Sequence, residues 1–239
     1  MGYTFRKGLI DGLPVCIGYL SVSFAFGIFA VGNGFGIFEA LMISMFNVTS
    51  AGQLAGVPII AAGGMMTELA VSQLVINLRY ALMSVSLSQR FDGTVRLRDR
   101  FLIAFVNTDE VFAIASSQRE LVGRRYLYGL ILTPYLGWCT GTLFGAIAGD
   151  ILPAIVTAAL GIAIYGMFIA IVTPAARADR ATAVCVLIAA VLSCLFRYVP
   201  ALSAVPSGFV IIICAVIAAG VMAVVAPVKT DSKEVTADA

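Results

Sequence analysis

The chain of 239 residues contains no histidine and little charge, with only 12% of its residues acidic or basic. The absence of histidine excludes an H-E-x-x-H metalloprotease site and a histidine proton relay. About a quarter of the residues in a soluble domain are charged, so the low share here excludes a soluble domain. The five cysteines lie in apolar stretches without C-x-x-C spacing, so they indicate neither disulfides nor a metal site.

The chain consists mainly of long apolar runs, and 61% of its residues are hydrophobic. A spanning helix needs about 20 apolar residues. The candidate spans are residues 9–31, 37–63, 67–89, 101–117, 126–148, 154–174, 182–199 and 207–226. A membrane barrel would instead show short segments of alternating polarity. The sequence predicts an all-α polytopic membrane protein, with a single transmembrane domain over residues 1–226 and a disordered cytoplasmic tail over residues 227–239.

The basic residues predict which connections are cytoplasmic, because cytoplasmic loops are enriched in lysine and arginine. They lie before the first span, in the loop 90–100, in the loop 119–125, near residues 177–180 and in the tail. Both termini are therefore predicted to be cytoplasmic. Eight full crossings would put the loop 90–100 outside, against this rule.

Two of the apolar segments look broken rather than continuous. Residues 47–53 are polar and contain glycine in the middle of an apolar run, and residues 101–117 would form only about 25 Å of helix. Unwound backbone at such depth is tolerated only where it is buried or lines a cavity. We predict about six transmembrane helices plus two broken or re-entrant segments, 37–63 and 101–117, with eight spans as the alternative.

Three charged residues fall in the middle of apolar segments: Arg79, Asp109 and Glu110. A charge at the centre of a bilayer costs about 2.5–3.5 kcal/mol on insertion scales, so such residues usually line a solute or ion path. A transporter is therefore the first hypothesis. Arg79 either binds a substrate carboxylate or forms a permanent pair with Asp109 or Glu110.

Asp109 and Glu110 are neighbours, so on a helix they point about 100° apart and cannot both meet one arginine. One of them is expected to pair with Arg79. The other, desolvated beside a like charge, is a candidate proton carrier. The alternative is a fixed ion pair beside a neighbour that caps a broken helix.

The break at residues 47–53 suggests how a solute is held. Free backbone N–H groups at the start of a half-helix can hold a carboxylate, and carbonyl groups can hold an ammonium, which suits a zwitterion such as an amino acid. The alternative is a simple kink. The predicted substrate-binding residues are Arg79, Asn77, Gly52, Gln53 and Ser50.

Glycines recur every fourth residue at 137, 141, 145 and 149, and Gly8 and Gly12 open the first span. Small residues at this spacing let helices approach closely. Packing within the chain is predicted, and packing against a partner subunit is the alternative.

Several short motifs resemble those of a known family. They are Gly12-Leu13-Pro14, Gly18-Tyr19, Phe24-Ala25-Phe26-Gly27, Ser50-Ala51-Gly52-Gln53, Asn77-Leu78-Arg79 and Thr108-Asp109-Glu110-Val111-Phe112. Their order and spacing over about residues 5–150 are similar to those of the AzlC family of branched-chain amino acid exporters. The chain departs from the family pattern at Tyr80, where histidine is frequent, at Ser21, where proline is common, and at Leu54, where phenylalanine is usual.

The resemblance implies an inner-membrane permease that exports hydrophobic amino acids, together with a small membrane subunit of the AzlD type. We expect a secondary transporter, with proton coupling through Asp109 or Glu110. A passive channel and a membrane subunit without its own transport path are the alternatives. No enzyme activity is expected, because the sequence has neither the G-x-G-D motif of intramembrane aspartyl proteases nor a G-x-S-x-G nucleophile elbow. No cofactor or metal is expected either.

Overall fold

The computed structural model describes residues 4–153, 155, 166, 169, 172–174, 176–202 and 204–226. The helices with defined bounds in this part are α1 (Phe5–Gly32), α2 (Ile37–Phe46), α3 (Ala51–Ala61), α4 (Met66–Ser88), α5 (Leu97–Phe105), α6 (Asp109–Ser116), α7 (Arg124–Ile151), α8 (Arg180–Tyr198) and α9 (Ser207–Val225). Five of them, α1, α4, α7, α8 and α9, are long and apolar enough to span a membrane. The predicted all-α membrane fold is confirmed.

The helices belong to two compact units, Met1–Phe168 and Ile169–Ala239. In the second unit, α8 packs against α9, and Asp179 caps α8 by accepting from the Thr182 N–H at 2.8 Å. The predicted span 154–174 lies largely outside the described residues, and the predicted tail 227–239 lies wholly outside them. The single domain over residues 1–226 therefore stays a prediction.

In the first unit, α1 and α7 lie side by side and run in the same direction. The contacting pairs are Gly8 with Gly129, Cys16 with Gly137, and Phe24 with Gly145. The contact advances by eight residues on both helices, which only parallel helices allow. A Cβ atom on Gly137 would lie 2.6 Å from the carbonyl oxygen of Cys16, so glycine is what permits this approach. The predicted packing within the chain is confirmed.

The end of α4 lies beside the start of α7. Phe91 and Val122 form an isolated bridge, in which the Asp92 N–H donates to Val122 O at 3.1 Å and the Val122 N–H donates to Arg90 O at 2.9 Å. We name the end of the unit where α1 and α7 begin the near side, and the opposite end the far side. Because α4 ends at the near side, it runs opposite to α1 and α7.

Helices α2 and α3 form a helical hairpin, hairpin 1 (residues 37–61), that starts and ends at the far side. Ala40 of α2 and Ala30 of α1 belong to one buried cluster near the far end of α1. The break between the helices reaches the midpoint of α1, where Val48 packs with Tyr19. Val57 of α3 lies in the far-side cluster again, so the chain has turned back.

Helices α5 and α6 form hairpin 2 (residues 97–116), which starts and ends at the near side. Ile103 of α5 and Ala115 of α6 pack in one buried cluster with Leu127, near the start of α7. The break between α5 and α6 again reaches the midpoint of α1, where the Thr108 and Tyr19 hydroxyl oxygens are 2.6 Å apart. Both segments that were predicted to be broken or re-entrant are broken helices that fold back.

The unit contains an inverted repeat. Helix α1 with hairpin 1 and helix α4 with hairpin 2 have the same order of elements but run in opposite directions. Two residues recur at the breaks, because Phe105 and Thr108 follow Phe46 and Thr49 by 59 residues each. Inverted repeats with broken helices that meet at mid-depth are typical of secondary transporters.

We expect Gly145→Ala to destabilise the protein, because the new Cβ would collide with the carbonyl oxygen of Phe24. Overpacking of this kind costs about 1–3 kcal/mol. The matched control is Gly18→Ala, where the Cβ meets open space and helix propensity improves. Thermal unfolding in detergent should show a lower midpoint for Gly145→Ala only; equal midpoints for the two variants would contradict the packing.

Candidate functional site

The break in hairpin 1 has a strained backbone, and it lies at the level of the midpoint of α1. Ser50 has φ of 51° and ψ of −81°, a region that residues other than glycine rarely adopt. Asn47 Oδ1 accepts from the Thr49 hydroxyl at 2.6 Å, which fixes the turn before α3. The first N–H groups of α3 have no acceptor within the helix, so the break carries partial positive charge where a carboxylate can bind.

Gln53 anchors this break to the rest of the unit. Its side chain is 1% exposed, and its Nε2 donates to Ser44 Oγ at 2.9 Å. Ser44 in turn lies 2.7 Å from the hydroxyl of Thr142 on α7. Gln53 Oε1 also accepts from the Ser50 N–H at 3.3 Å. The amide is thus engaged at both ends, and a direct role for Gln53 in solute binding stays a prediction.

A polar stripe on α4 faces the break. Gln73 Nε2 donates to the carbonyl of Gly52 at 2.8 Å, and Asn77 Nδ2 donates to Gln73 Oε1 at 3.2 Å. Asn77 Oδ1 is buried without a hydrogen-bond partner among the described residues. A buried carbonyl oxygen of this kind is an acceptor for a solute N–H.

Arg79 joins α4 to hairpin 2 through an ion pair. Its Nη1 lies 2.5 Å from Asp109 Oδ2, and both side chains are about half exposed, at 49% and 48%. Its Nη2 donates to the Tyr80 hydroxyl at 3.0 Å, and this hydroxyl lies 3.5 Å from the carbonyl of Thr49 in the first break. Arg79 and Tyr80 therefore connect the two breaks.

Glu110 makes a different contact from its neighbour. The Tyr19 hydroxyl on α1 donates to Glu110 Oε2 and lies beside the Thr108 hydroxyl. The Tyr19 ring meets Trp138 of α7 edge-on, with centroids 5.1 Å apart. The two carboxylates thus diverge, as expected for helical neighbours, and only Asp109 reaches Arg79.

The structure brings Arg79, Asn77, Gly52, Ser50 and Asp109 to one region around the two breaks. Glu110 lies beside this region, against α1. Among the described residues, no group of three or more acidic or cysteine side chains could hold a metal ion. The site is therefore a set of opposite charges and hydrogen-bonding groups, suited to holding a polar solute.

Sequence reasoning missed the part that Tyr19 takes in the site. Thr49 lies in the break at residues 47–53 that was predicted to hold a solute, and the spacing of Gln73 to Asn77 and Tyr80 indicates one polar face. Neither Thr49 nor Gln73 was predicted to bind the solute. The shared pattern of phenylalanine and threonine at the two breaks was also visible in the sequence. The contact between Tyr19 and hairpin 2 leaves no sequence pattern, because it joins residues 89 positions apart.

Comparisons with known proteins agree with this picture. The family described as "AzlC protein" matches residues 14–152, which cover about the last two thirds of α1 and all of both hairpins, α4 and α7. An uncharacterized membrane protein of Archaeoglobus fulgidus is 33% identical over 71% of this chain and 75% of its own length. The inner membrane protein YgaZ of Escherichia coli K12 is 33% identical over 69% of this chain and 70% of its own.

An uncharacterized membrane protein of Helicobacter pylori is 27% identical over 62% of this chain and 67% of its own length. No solved structure matches the chain. The family match spans more than half of the chain, and it falls on the helices that build the inverted repeat and its two breaks. The chain therefore belongs to the AzlC family of membrane proteins.

Proposed function

We propose that this protein is a secondary transporter that exports branched-chain or other hydrophobic amino acids. The observation that carries the proposal is the Arg79–Asp109 ion pair, which lies at the junction of two broken helices. Charges at the centre of a membrane protein usually mark a solute or ion path. Membership of a family of membrane proteins supports the same class of function.

A zwitterion can replace the direct contact between the two partners of this ion pair. Its carboxylate takes the place of Asp109 at the Arg79 guanidinium and faces the free N–H groups at the start of α3. Its ammonium then binds Asp109 and the carbonyl of Thr49. Each charge keeps an opposite partner in both states, so the exchange avoids the cost of an unpaired charge. The aliphatic side chain packs against the apolar helix faces.

The two hairpins supply the alternating access that a secondary transporter needs. Hairpin 1 extends from the far side and hairpin 2 from the near side, and their breaks meet at Tyr19. Movement of one hairpin opens the site to one side while the other hairpin stays closed. Inverted repeats commonly work in this way.

Asp109 or Glu110 carries the coupling proton in this proposal. Asp109 takes the proton after the cargo has left and before its pair with Arg79 forms again, whereas Glu110 accepts a hydrogen bond from the Tyr19 hydroxyl. Protonation of either carboxylate lowers the cost of a charge at this depth. The protein then acts as a transporter with no catalytic role.

The near side is the cytoplasmic side in this proposal, and both termini are cytoplasmic. Lys7, Arg90 and Arg124 all lie at the near side, in agreement with the enrichment of basic residues in cytoplasmic loops. The Escherichia coli relative is named as an inner membrane protein, which supports the cell inner membrane as the location. We also propose a small AzlD-type membrane subunit as a partner.

We expect Arg79→Gln and Asp109→Asn to reduce export at least about tenfold, since each leaves an uncompensated charge in the site. Cells that carry either variant should accumulate leucine or valine when they are fed dipeptides. The control is Lys7→Gln, which breaks the ion pair with Asp11 at the start of α1 and should leave export nearly unchanged. Normal export by both central variants would rule out this mechanism.

Gly52→Ala should lower export without unfolding the protein. The new Cβ would lie 2.4 Å from Thr49 Oγ1, 2.6 Å from Gln73 Oε1 and 3.2 Å from Asn77 Nδ2, so the Thr49 hydroxyl and both amides must move. Gly56→Ala on the same helix is the matched control, because its Cβ stays 3.3 Å from the nearest side-chain atom. We expect export to fall severalfold for Gly52→Ala alone, at equal expression; equal export by the two variants would contradict the site.

Proteoliposomes that contain the purified chain should show leucine counterflow, with net export that depends on a pH gradient. Glu110→Gln should keep the exchange but lose this dependence, whereas Tyr19→Phe leaves the carboxylate in place and should retain it. If net export by the Glu110→Gln protein still depends on the pH gradient, Glu110 is not the proton carrier.

The same assay separates the alternatives. Flux that saturates weakly, ignores the gradient and shows no counterflow indicates a passive channel. Counterflow by the chain alone excludes an accessory subunit without its own path. Counterflow that occurs only with the small partner present supports that alternative.

A further inference from the structure

A cavity lies between α4 and hairpin 2. It has a volume of about 300 Å³, enough for a small solute. Its walls are mainly apolar, formed by Val85, Leu87, Phe91, Leu97, Phe101 and Ile103. This groove starts beside the near-side ends of α4 and α5 and extends toward mid-depth.

The two ends of the groove are polar. At the outer end, the guanidinium carbon of Arg100 lies 5.6 Å from the centroid of the Phe91 ring. At the inner end, Asn107 is 2% exposed, and its Nδ2 donates to Ser84 Oγ at 3.1 Å. Asn107 Oδ1 is buried without a hydrogen-bond partner within the described part of the chain. Buried polar atoms are usually paired, so this acceptor points to a ligand that donates a hydrogen bond.

We propose that this groove is a second solute-binding site, which takes a small molecule with an ammonium group and a branched apolar chain. The ammonium donates to Asn107 Oδ1, and the apolar chain packs along the groove. A solute of this class is the cargo of the proposed transporter, so the inference rests on that function. The site holds the cargo on its way between the near side and the Arg79–Asp109 pair.

The position of the groove supports this role. Ser84 continues the polar face of α4 that includes Asn77 and Tyr80, and Asn107 lies two residues before Asp109. The bond between Asn107 and Ser84 joins α4 to hairpin 2 at the inner end of the groove. In this proposal, the bond breaks when the solute moves inward toward the Arg79–Asp109 pair. Arg100 attracts the carboxylate of an approaching zwitterion.

A lipid acyl chain is the other occupant that an apolar groove admits. It fits the walls but brings no donor to Asn107 Oδ1, which would stay unpaired. An amphipathic amine satisfies both the walls and this oxygen. The structure therefore favours a solute over a lipid tail.

The test uses the variant Ala104→Cys, since Ala104 lines the groove and is exposed. The full chain in nanodiscs is treated with a water-soluble methanethiosulfonate reagent, and peptide mass spectrometry reads modification at position 104 alone. Three probes are compared: L-leucine, 3-methylbutylamine, which lacks the carboxylate, and 4-methylpentanoate, which lacks the amine. Leucine and the amine should each slow the modification at least threefold, whereas the carboxylate alone should not.

Asn107→Leu in the same background removes the acceptor. It should raise the amine concentration needed for half-protection about tenfold or more, as expected for the loss of one hydrogen bond to a charged group. Ser88→Ala is the matched control, since Ser88 also lines the groove but its hydroxyl donates to the carbonyl of Val85 on its own helix; it should change this concentration less than twofold. Equal protection by all three probes would indicate that the groove binds any apolar chain, and it would overturn the proposal. Slow modification in the absence of solute, if added detergent makes it faster, would indicate a bound lipid and would also overturn the proposal.

Leucine export by the Ala104→Cys parent separates the two hypotheses. Export without protection by leucine or the amine overturns the groove site and leaves the transporter standing. Protection by the amine without any export overturns the proposed function and supports the groove as a binding site. Absence of both overturns both.

Discussion

The backbone contact between α1 and α7 is the constraint on which the first unit depends. Glycines at eight-residue intervals let the two helices touch along their whole length. The two helices therefore form one wall of the unit and share the same near and far ends. Both hairpins pack against this wall, and their breaks reach the same depth because both contact Tyr19 at the midpoint of α1. A bulkier residue in the stripe would therefore shift the two breaks relative to each other.

The depth of the breaks explains why polar groups gather there. Each break exposes backbone groups that lipid cannot satisfy, so they must face protein or a cavity. Side chains from α1 and α4 form hydrogen bonds with both hairpins at the breaks. Tyr19 bonds to hairpin 2, while Gln73 and Tyr80 bond to hairpin 1. The ion pair of Arg79 and Asp109 completes the connection from one hairpin to the other. In the proposed function, the solute replaces contacts that already exist, so Arg79 and Asp109 each keep a partner of opposite charge.

Sequence reasoning predicted the helices and both breaks, because polar residues such as Asn47 and Thr49 interrupt an apolar run and such interruptions are local. It also identified Arg79 and the acidic pair, since charges at that depth need partners. It left open which carboxylate meets Arg79, because that depends on the direction in which α6 leaves its break. The groove that ends on Asn107 was not foreseen, since it arises from two elements that meet only in the folded chain.

The parallel pairing of α1 and α7 imposes a rule of parity on the segments between them. The chain must return to the near side before α7 begins, so it makes an odd number of passes between these helices. With α4 as one pass, hairpins 1 and 2 must either both turn back or both cross. If one hairpin alone became a helix that crosses fully, the direction of α7 would be reversed. The glycines of α7 would then no longer contact those of α1. The two hairpins can therefore change their topology only as a pair.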